Sequence, residues 1–166
     1  MKKSKQILCM AVAAVGLFFT SNVMAQTNPR LGVGLNLGVP TSDFYDVAIG
    51  ADLRYQFDLN KQLSIPVTAG YTHLAGKDNV PSFGYIPLKA GMKYFFNETG
   101  SGMYGLAEIG AGFGTKSGSG TSFVYSPAIG YSWSSGLDFG VKYEGLSRDG
   151  GNTGYVGLRL AYGFGL

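Results

Sequence analysis

Large apolar residues alternate with small or polar ones along most of this chain, with a period of two. The final stretch shows it most plainly. Over residues 155–166, Val156, Leu158, Leu160, Tyr162, Phe164 and Leu166 share one face, while Gly157, Arg159, Ala161, Gly163 and Gly165 share the other. Successive side chains of a strand point to opposite faces, so this is a strand with one greasy face and one small or polar face. Left unpaired, it would be an exposed edge open to pairing with another chain. Closing the sheet into a barrel, last strand on first, removes that edge.

The same alternation predicts seven further strands. Strand one, about 31–39, carries Leu31, Val33, Leu35, Leu37 and Val39 on one face. Strand two, about 47–57, carries Val47, Ile49, Ala51, Leu53, Tyr55 and Phe57, with Asp52, Arg54 and Gln56 opposite. Strand three, about 63–73, carries Leu63, Ile65, Val67, Ala69 and Tyr71. Strand four, about 83–96, sets Ile86, Leu88, Ala90, Met92, Tyr94 and Phe96 against Pro87, Lys89, Gly91 and Lys93. Strand five, about 103–113, has the weakest phase signal; Ala107, Ile109, Ala111 and Phe113 are placed outward and Glu108, Gly110 and Gly112 inward. Strand six, about 122–133, carries Phe123, Tyr125, Ile129, Tyr131 and Trp133. Strand seven, about 137–146, sets Leu137, Phe139, Val141 and Tyr143 against Asp138, Gly140, Lys142 and Glu144. Pro66, Pro87 and Pro127 fall inside strands, where each removes a ladder hydrogen bond. They are expected to mark bulges, or strands three, four and six shorter than drawn.

Eight strands of near nine to eleven residues suit a tilted spanning strand. The fold class expected is all-β: an eight-stranded antiparallel up-and-down transmembrane β-barrel. Turn-forming segments after strands two, four and six read as short, and those after three, five and seven as longer loops. Aromatics sort to the two ends. Tyr55, Phe57, Tyr94, Phe96, Tyr131, Trp133, Tyr162 and Phe164 gather at the short-turn end. Tyr71, Phe83, Tyr85, Phe113, Phe123, Tyr125, Tyr143 and Tyr155 gather at the other. Two such belts around an aliphatic band match interfacial girdles.

Composition sharpens this picture. Residues 1–25 read as a cleaved signal peptide: Lys2, Lys3 and Lys5 precede an apolar run over 7–19, and Val23-Met24-Ala25 precede a cleavage point before Gln26. That run is too short to span a bilayer comfortably. The barrel domain is then 26–166. Three of the 13 basic residues belong to the leader, which leaves ten bases against ten acids, so a basic nucleic-acid patch is not supported. The single cysteine, Cys9, also lies in the leader, so neither disulfide nor thiol chemistry is expected beyond it. Charged residues make up 14% of the chain, below the ~25% of soluble domains, and glycine is abundant.

On these patterns the chain resembles the small outer-membrane β-barrel family of Gram-negative bacteria, the group of OmpX and the OmpA transmembrane domain. Its Ala25-Gln26 junction is similar to leaders of the Bacteroidota relatives. The resemblance covers 26–166 and rests on pattern rather than on a sharp motif. It implies the cell outer membrane as location, outer-membrane lipid as surroundings, a monomer, and recognition of the C-terminal strand by the barrel-assembly machinery.

The candidate chemistry lies on the small-residue face. Asp52, Arg54, Lys89, Lys93, Glu108, Asp138, Lys142, Glu144 and Arg159 share it, four acids and five bases. An eight-stranded lumen is just wide enough for side chains to fill. An ion-pair network plugging the lumen is favoured over a narrow ion path. His73 is the only histidine. Outer-membrane lipid A deacylases place a serine two residues after their histidine, whereas here His73 is followed by Leu74 and Ala75. A palmitoylating barrel would need an amphipathic helix before strand one, and 26–29 does not form it. The glycines at 110, 112 and 114 and the run Gly114-Thr115-Lys116-Ser117 lack the order and the helix of a phosphate loop. No catalytic residue, cofactor or metal is expected. The function expected is a non-enzymatic membrane barrel with a structural, adhesion or interaction role through its outer loops. The alternatives are a soluble lipocalin-like barrel with the apolar face inward around a ligand, and a membrane-embedded lipid-modifying enzyme.

Overall fold

The structure, a computed structural model, describes residues 29–148 and 150–165. The expected leader and its expected cleavage before Gln26, like the terminal Leu166, lie outside the described residues. Those described form eight strands: β1 (Arg30–Pro40), β2 (Tyr45–Asp58), β3 (Leu63–Gly76), β4 (Phe83–Phe95), β5 (Gly102–Gly114), β6 (Thr121–Ser132), β7 (Leu137–Arg148) and β8 (Gly151–Gly165). Each pairs antiparallel with the next, and β8 pairs with β1 from Arg30↔Gly165 to Pro40↔Tyr155. The sheet is therefore a closed up-and-down barrel, and the greasy last strand has no free edge.

Alternation decides which face is which. Along β8, Val156, Leu158, Leu160, Tyr162 and Phe164 point outward and are exposed, while Gly157, Arg159 and Ala161 are buried. Strand β5 takes the expected phase, with Ile109 outward and Glu108 inward. The apolar face is thus the outside of the barrel. A lipocalin-like arrangement, with that face turned in around a ligand, is not the one adopted.

Two expectations about the backbone need correction. The prolines mark neither bulges nor shortened strands. Pro66 and Pro87 sit inside full-length β3 and β4, and Pro127 inside β6. The β3–β4 ladder skips the pairs at these prolines and resumes in the same register, Ser64↔Lys93 before and Val67↔Ala90 after. The β6–β7 ladder likewise passes from Tyr125↔Gly145 to Ala128↔Lys142 across Pro127. Each proline costs a hydrogen bond, yet the unbroken alternation on both faces holds the register. The register shift that does occur lies between Tyr45 and Val47 of β2.

The second correction concerns the loops. The connections after β3, β5 and β7 are not long. Strands β7 and β8 are separated by residues 149–150 alone, because pairing continues through Leu146↔Thr153 and Arg148↔Gly151. The connections after β3 and β5 span 77–82 and 115–120, no longer than the 96–101 turn at the opposite end. Segments rich in Gly, Ser and Asn, which read as loops, are here strand. The 133–136 turn shows the glycine requirement directly: Gly136 has φ +95°, and the turn closes through Trp133 N–H to the Leu137 carbonyl at 2.8 Å.

Candidate functional site

The inner wall carries the charges. Asp52 and Arg54 come from β2, Lys89 and Lys93 from β4, Glu108 from β5, Asp138, Lys142 and Glu144 from β7, and Arg159 from β8. All nine are buried. Because β-strands alternate, inward parity on five of the eight strands is enough to bring them onto one wall.

They form two groups. In the first, Arg159 joins Asp52 at 2.6 Å and reaches Asp138 at 3.5 Å, and Lys93 holds Asp138 at 2.7 Å. In the second, Lys89 bridges Glu144 at 2.5 Å and Glu108 at 3.7 Å. Lys142 adds a contact to Glu144 at 3.1 Å, and Arg54 one to Glu108 at 3.2 Å. Buried ions must be both paired and hydrogen-bonded to offset desolvation. Each carboxylate here has a neutral donor as well. Asn36 Nδ2 donates to Asp52 at 2.8 Å, Thr68 Oγ1 to Glu108 at 2.6 Å, the Tyr104 hydroxyl to Asp138 at 2.7 Å, and the Tyr85 hydroxyl to Glu144 at 2.6 Å.

Apolar side chains close the lumen beyond the charges. At the end bearing the β1–β2, β3–β4, β5–β6 and β7–β8 connections, Ala48, Leu74, Tyr85, Val124, Leu146 and Tyr155 form one buried cluster, with Tyr45 and Phe83 packed on it. At the opposite end Phe95, Tyr104 and Leu106 form a second, against Ala128. The second covers only the β4–β6 side. Beside it a recess of about 40 Å³ reaches in from the turn end to Arg54, Lys93, Asp138 and Arg159.

Three aromatics assigned to the outer belt therefore belong elsewhere. Tyr85 and Tyr155 are fully buried inside the barrel, and Phe83 packs against the inner cluster. Their parity with Lys89 and Arg159 was the available signal; height along the strand alone misplaces them. The same parity would have found Phe95 and Tyr104.

The other aromatics of the two expected belts stand on the outer wall. Tyr55 and Phe57, Tyr94 and Phe96, Tyr131 and Trp133, and Tyr162 and Phe164 pair at 4.7, 6.0, 4.7 and 4.9 Å between ring centres. All four pairs sit at the turn end, one on every second strand. At the loop end Tyr125 lies 5.8 Å from Tyr143, and a Cβ added to Gly145 would collide with the Tyr125 ring. The glycine is a slot for the ring. Tyr71 sits there too, its hydroxyl 3.5 Å from His73 Nδ1. Across the ladders His73 faces Ile49 and Gly84.

No family model and no curated protein sequence matches the chain. Solved structures do. Ail, the attachment invasion locus protein of Yersinia pestis, in complex with the heparin analogue sucrose octasulfate, aligns with TM-score 0.61 and 20% identity over 84% of this chain and 100% of its own. The N-terminal β-barrel domain of Pseudomonas aeruginosa OprF aligns with TM-score 0.61 and 14% identity over 84% and 100%. The outer membrane enzyme PagL aligns with TM-score 0.62 and 18% identity over 79% and 98%. At these identities the likeness is one of fold: this chain has the fold of the small eight-stranded outer-membrane barrels.

Proposed function

We propose that the protein is an integral outer-membrane barrel with a closed lumen, without enzymatic activity, acting in structure, adhesion or interaction through the connections at its loop end. The observation that carries this reading is the inversion of the usual globular pattern. Leu35, Val39 and Ile109 are 67%, 70% and 60% exposed, whereas Glu144 is 0% exposed. An apolar wall running round a whole barrel is far larger than the patches soluble monomers tolerate. Hydrocarbon is the solvent that suits it, and closure leaves no strand edge unpaired. The paired aromatics at the turn end and the tyrosines at the loop end would then lie at the two interfaces. Cleavage before Gln26, a monomeric state and delivery by the barrel-assembly machinery through β8 complete the proposal.

The surface role draws support from the likeness to an attachment protein. The likeness to an enzyme adds little for this chain. A hydrolytic histidine needs a nucleophile and an orienting acid within hydrogen-bond reach. His73 has the Tyr71 hydroxyl as its side-chain partner, and Ala75 stands where the deacylase pattern has serine.

In planar bilayers the purified barrel is expected to be non-conducting, since two apolar clusters and an ion-paired layer fill its interior. Reproducible ion-selective openings would contradict the closed lumen. Protein recovered from the soluble periplasm, without detergent, would contradict the membrane assignment.

A further inference from the structure

The inner wall holds five bases and only four acids, all buried. The two ion-paired groups divide unevenly. Asp52, Asp138, Lys93 and Arg159 balance one another, whereas Glu108 and Glu144 face Arg54, Lys89 and Lys142. The second group is therefore one positive charge in excess. A charge left uncompensated in a low-dielectric interior is costly, so a counter-charge is called for. Among its three bases, Arg54 also lines the turn-end recess, and a guanidinium does not shed its proton in a protein.

The recess is built for the opposite sign. Arg30, Arg54, Lys93 and Arg159 line it against the single carboxylate of Asp138. Arg30 is occupied by Asp58 at 3.3 Å. Arg54 donates through Nε to Thr68 and through one terminal nitrogen, Nη2, to Glu108. Among the described residues its Nη1 and the Ser132 hydroxyl take no part in the side-chain hydrogen bonds, and both residues border the recess. A volume of about 40 Å³ holds roughly three or four waters at 10–15 Å³ each. At the far end of the lumen the Tyr85–Tyr155 cluster shuts the path.

From this geometry we infer that the recess is a dead-end binding site for one small monovalent inorganic anion of the halide class, admitted from the turn end and held by Arg54, Lys93 and Ser132. The anion neutralises the lumen and is retained rather than conducted. The site depends on the inner wall alone, so it stands or falls separately from the membrane setting.

The test uses the barrel refolded in a zwitterionic detergent, with sodium bromide as probe and sodium gluconate, too large for the recess, at equal ionic strength. Bromide is expected to raise stability saturably. At ten times its Kd the folding equilibrium constant should rise about 11-fold. Crystals grown in bromide should show an anomalous peak beside Arg54. Arg54→Gln should lose the bromide dependence, and Ser132→Ala should weaken it. If Arg54→Gln does not refold, Ser132→Ala and the wild-type anomalous map decide. Equal stability in bromide and gluconate, a recess without an anomalous peak, or bromide dependence unchanged in the variants would overturn the site.

Discussion

Exchanging Glu144 for glutamine is expected to lower the stability of the refolded barrel by about 3–5 kcal/mol, the range for removing one partner of a buried ion pair. Glu144 is wholly buried and accepts from Lys89 at 2.5 Å, Lys142 at 3.1 Å and the Tyr85 hydroxyl at 2.6 Å. Glutamine keeps the shape and can still accept from Tyr85. It leaves Lys142 without its carboxylate and Lys89 with only the 3.7 Å contact to Glu108. The inner-wall side chains, already one positive charge in excess on their own, then carry two. Adding Lys142→Met to Glu144→Gln removes that second charge and should recover part of the loss. The comparison is made by urea unfolding in lipid vesicles. Equal stability of Glu144→Gln and the parent would mean that the inner wall is wet and its charges are solvated.

Arginine at Val141 is the second large effect. Val141 stands mid-strand on the outer face of β7, flanked by Ile129 of β6 and Leu158 of β8. A charge at this position would sit in hydrocarbon, at a cost of roughly 2–4 kcal/mol near the bilayer midplane, falling toward zero at the interfaces. Leu158→Arg should behave alike, because the two side chains are cross-strand neighbours. Lys142→Arg keeps its charge on the inner face beside Glu144 and should cost much less. Were all three equally harmless, the apolar wall would not be in contact with lipid.

Much of this fold was legible because a barrel has two faces and a strand has a period of two. Parity placed Asp52, Lys89, Glu108 and Arg159 on one wall without any knowledge of pairing. What parity does not report is how the inner wall is layered. Leu74, Val124, Leu146 and Phe95 are apolar and inward, at the same parity as the charges. A reading that equates inward with polar passes over them. Runs such as Tyr94-Phe95-Phe96 add to the difficulty, since adjacent aromatics on opposite faces hide the phase.

Loop length is hidden in the sequence for a different reason. Glycine, serine and asparagine over 147–154 favour turns locally. Local preference gave way to pairing, because Gly145 and Gly154 are covered by the Tyr125 and Tyr143 rings and the ladder continues above them. The partners of the carboxylates were also out of reach. Tyr85 meets Glu144 across 59 positions of sequence, and Tyr104 meets Asp138 across 34. Only the closed register brings such residues together.

The central claim is that the apolar wall faces lipid while the charges face inward. The only cysteine is Cys9, outside the eight strands, so single nitroxide labels can be placed freely on the barrel. Labels at Leu158→Cys on the outer wall and at Lys61→Cys in the exposed 59–62 turn are compared in vesicles by their relaxation with oxygen, which concentrates in hydrocarbon, and with a water-soluble nickel chelate. The account predicts that the label at position 158 responds to oxygen and is shielded from nickel, and that the label at position 61 does the reverse. A position 158 label relaxed by nickel as strongly as the one at 61 would contradict it.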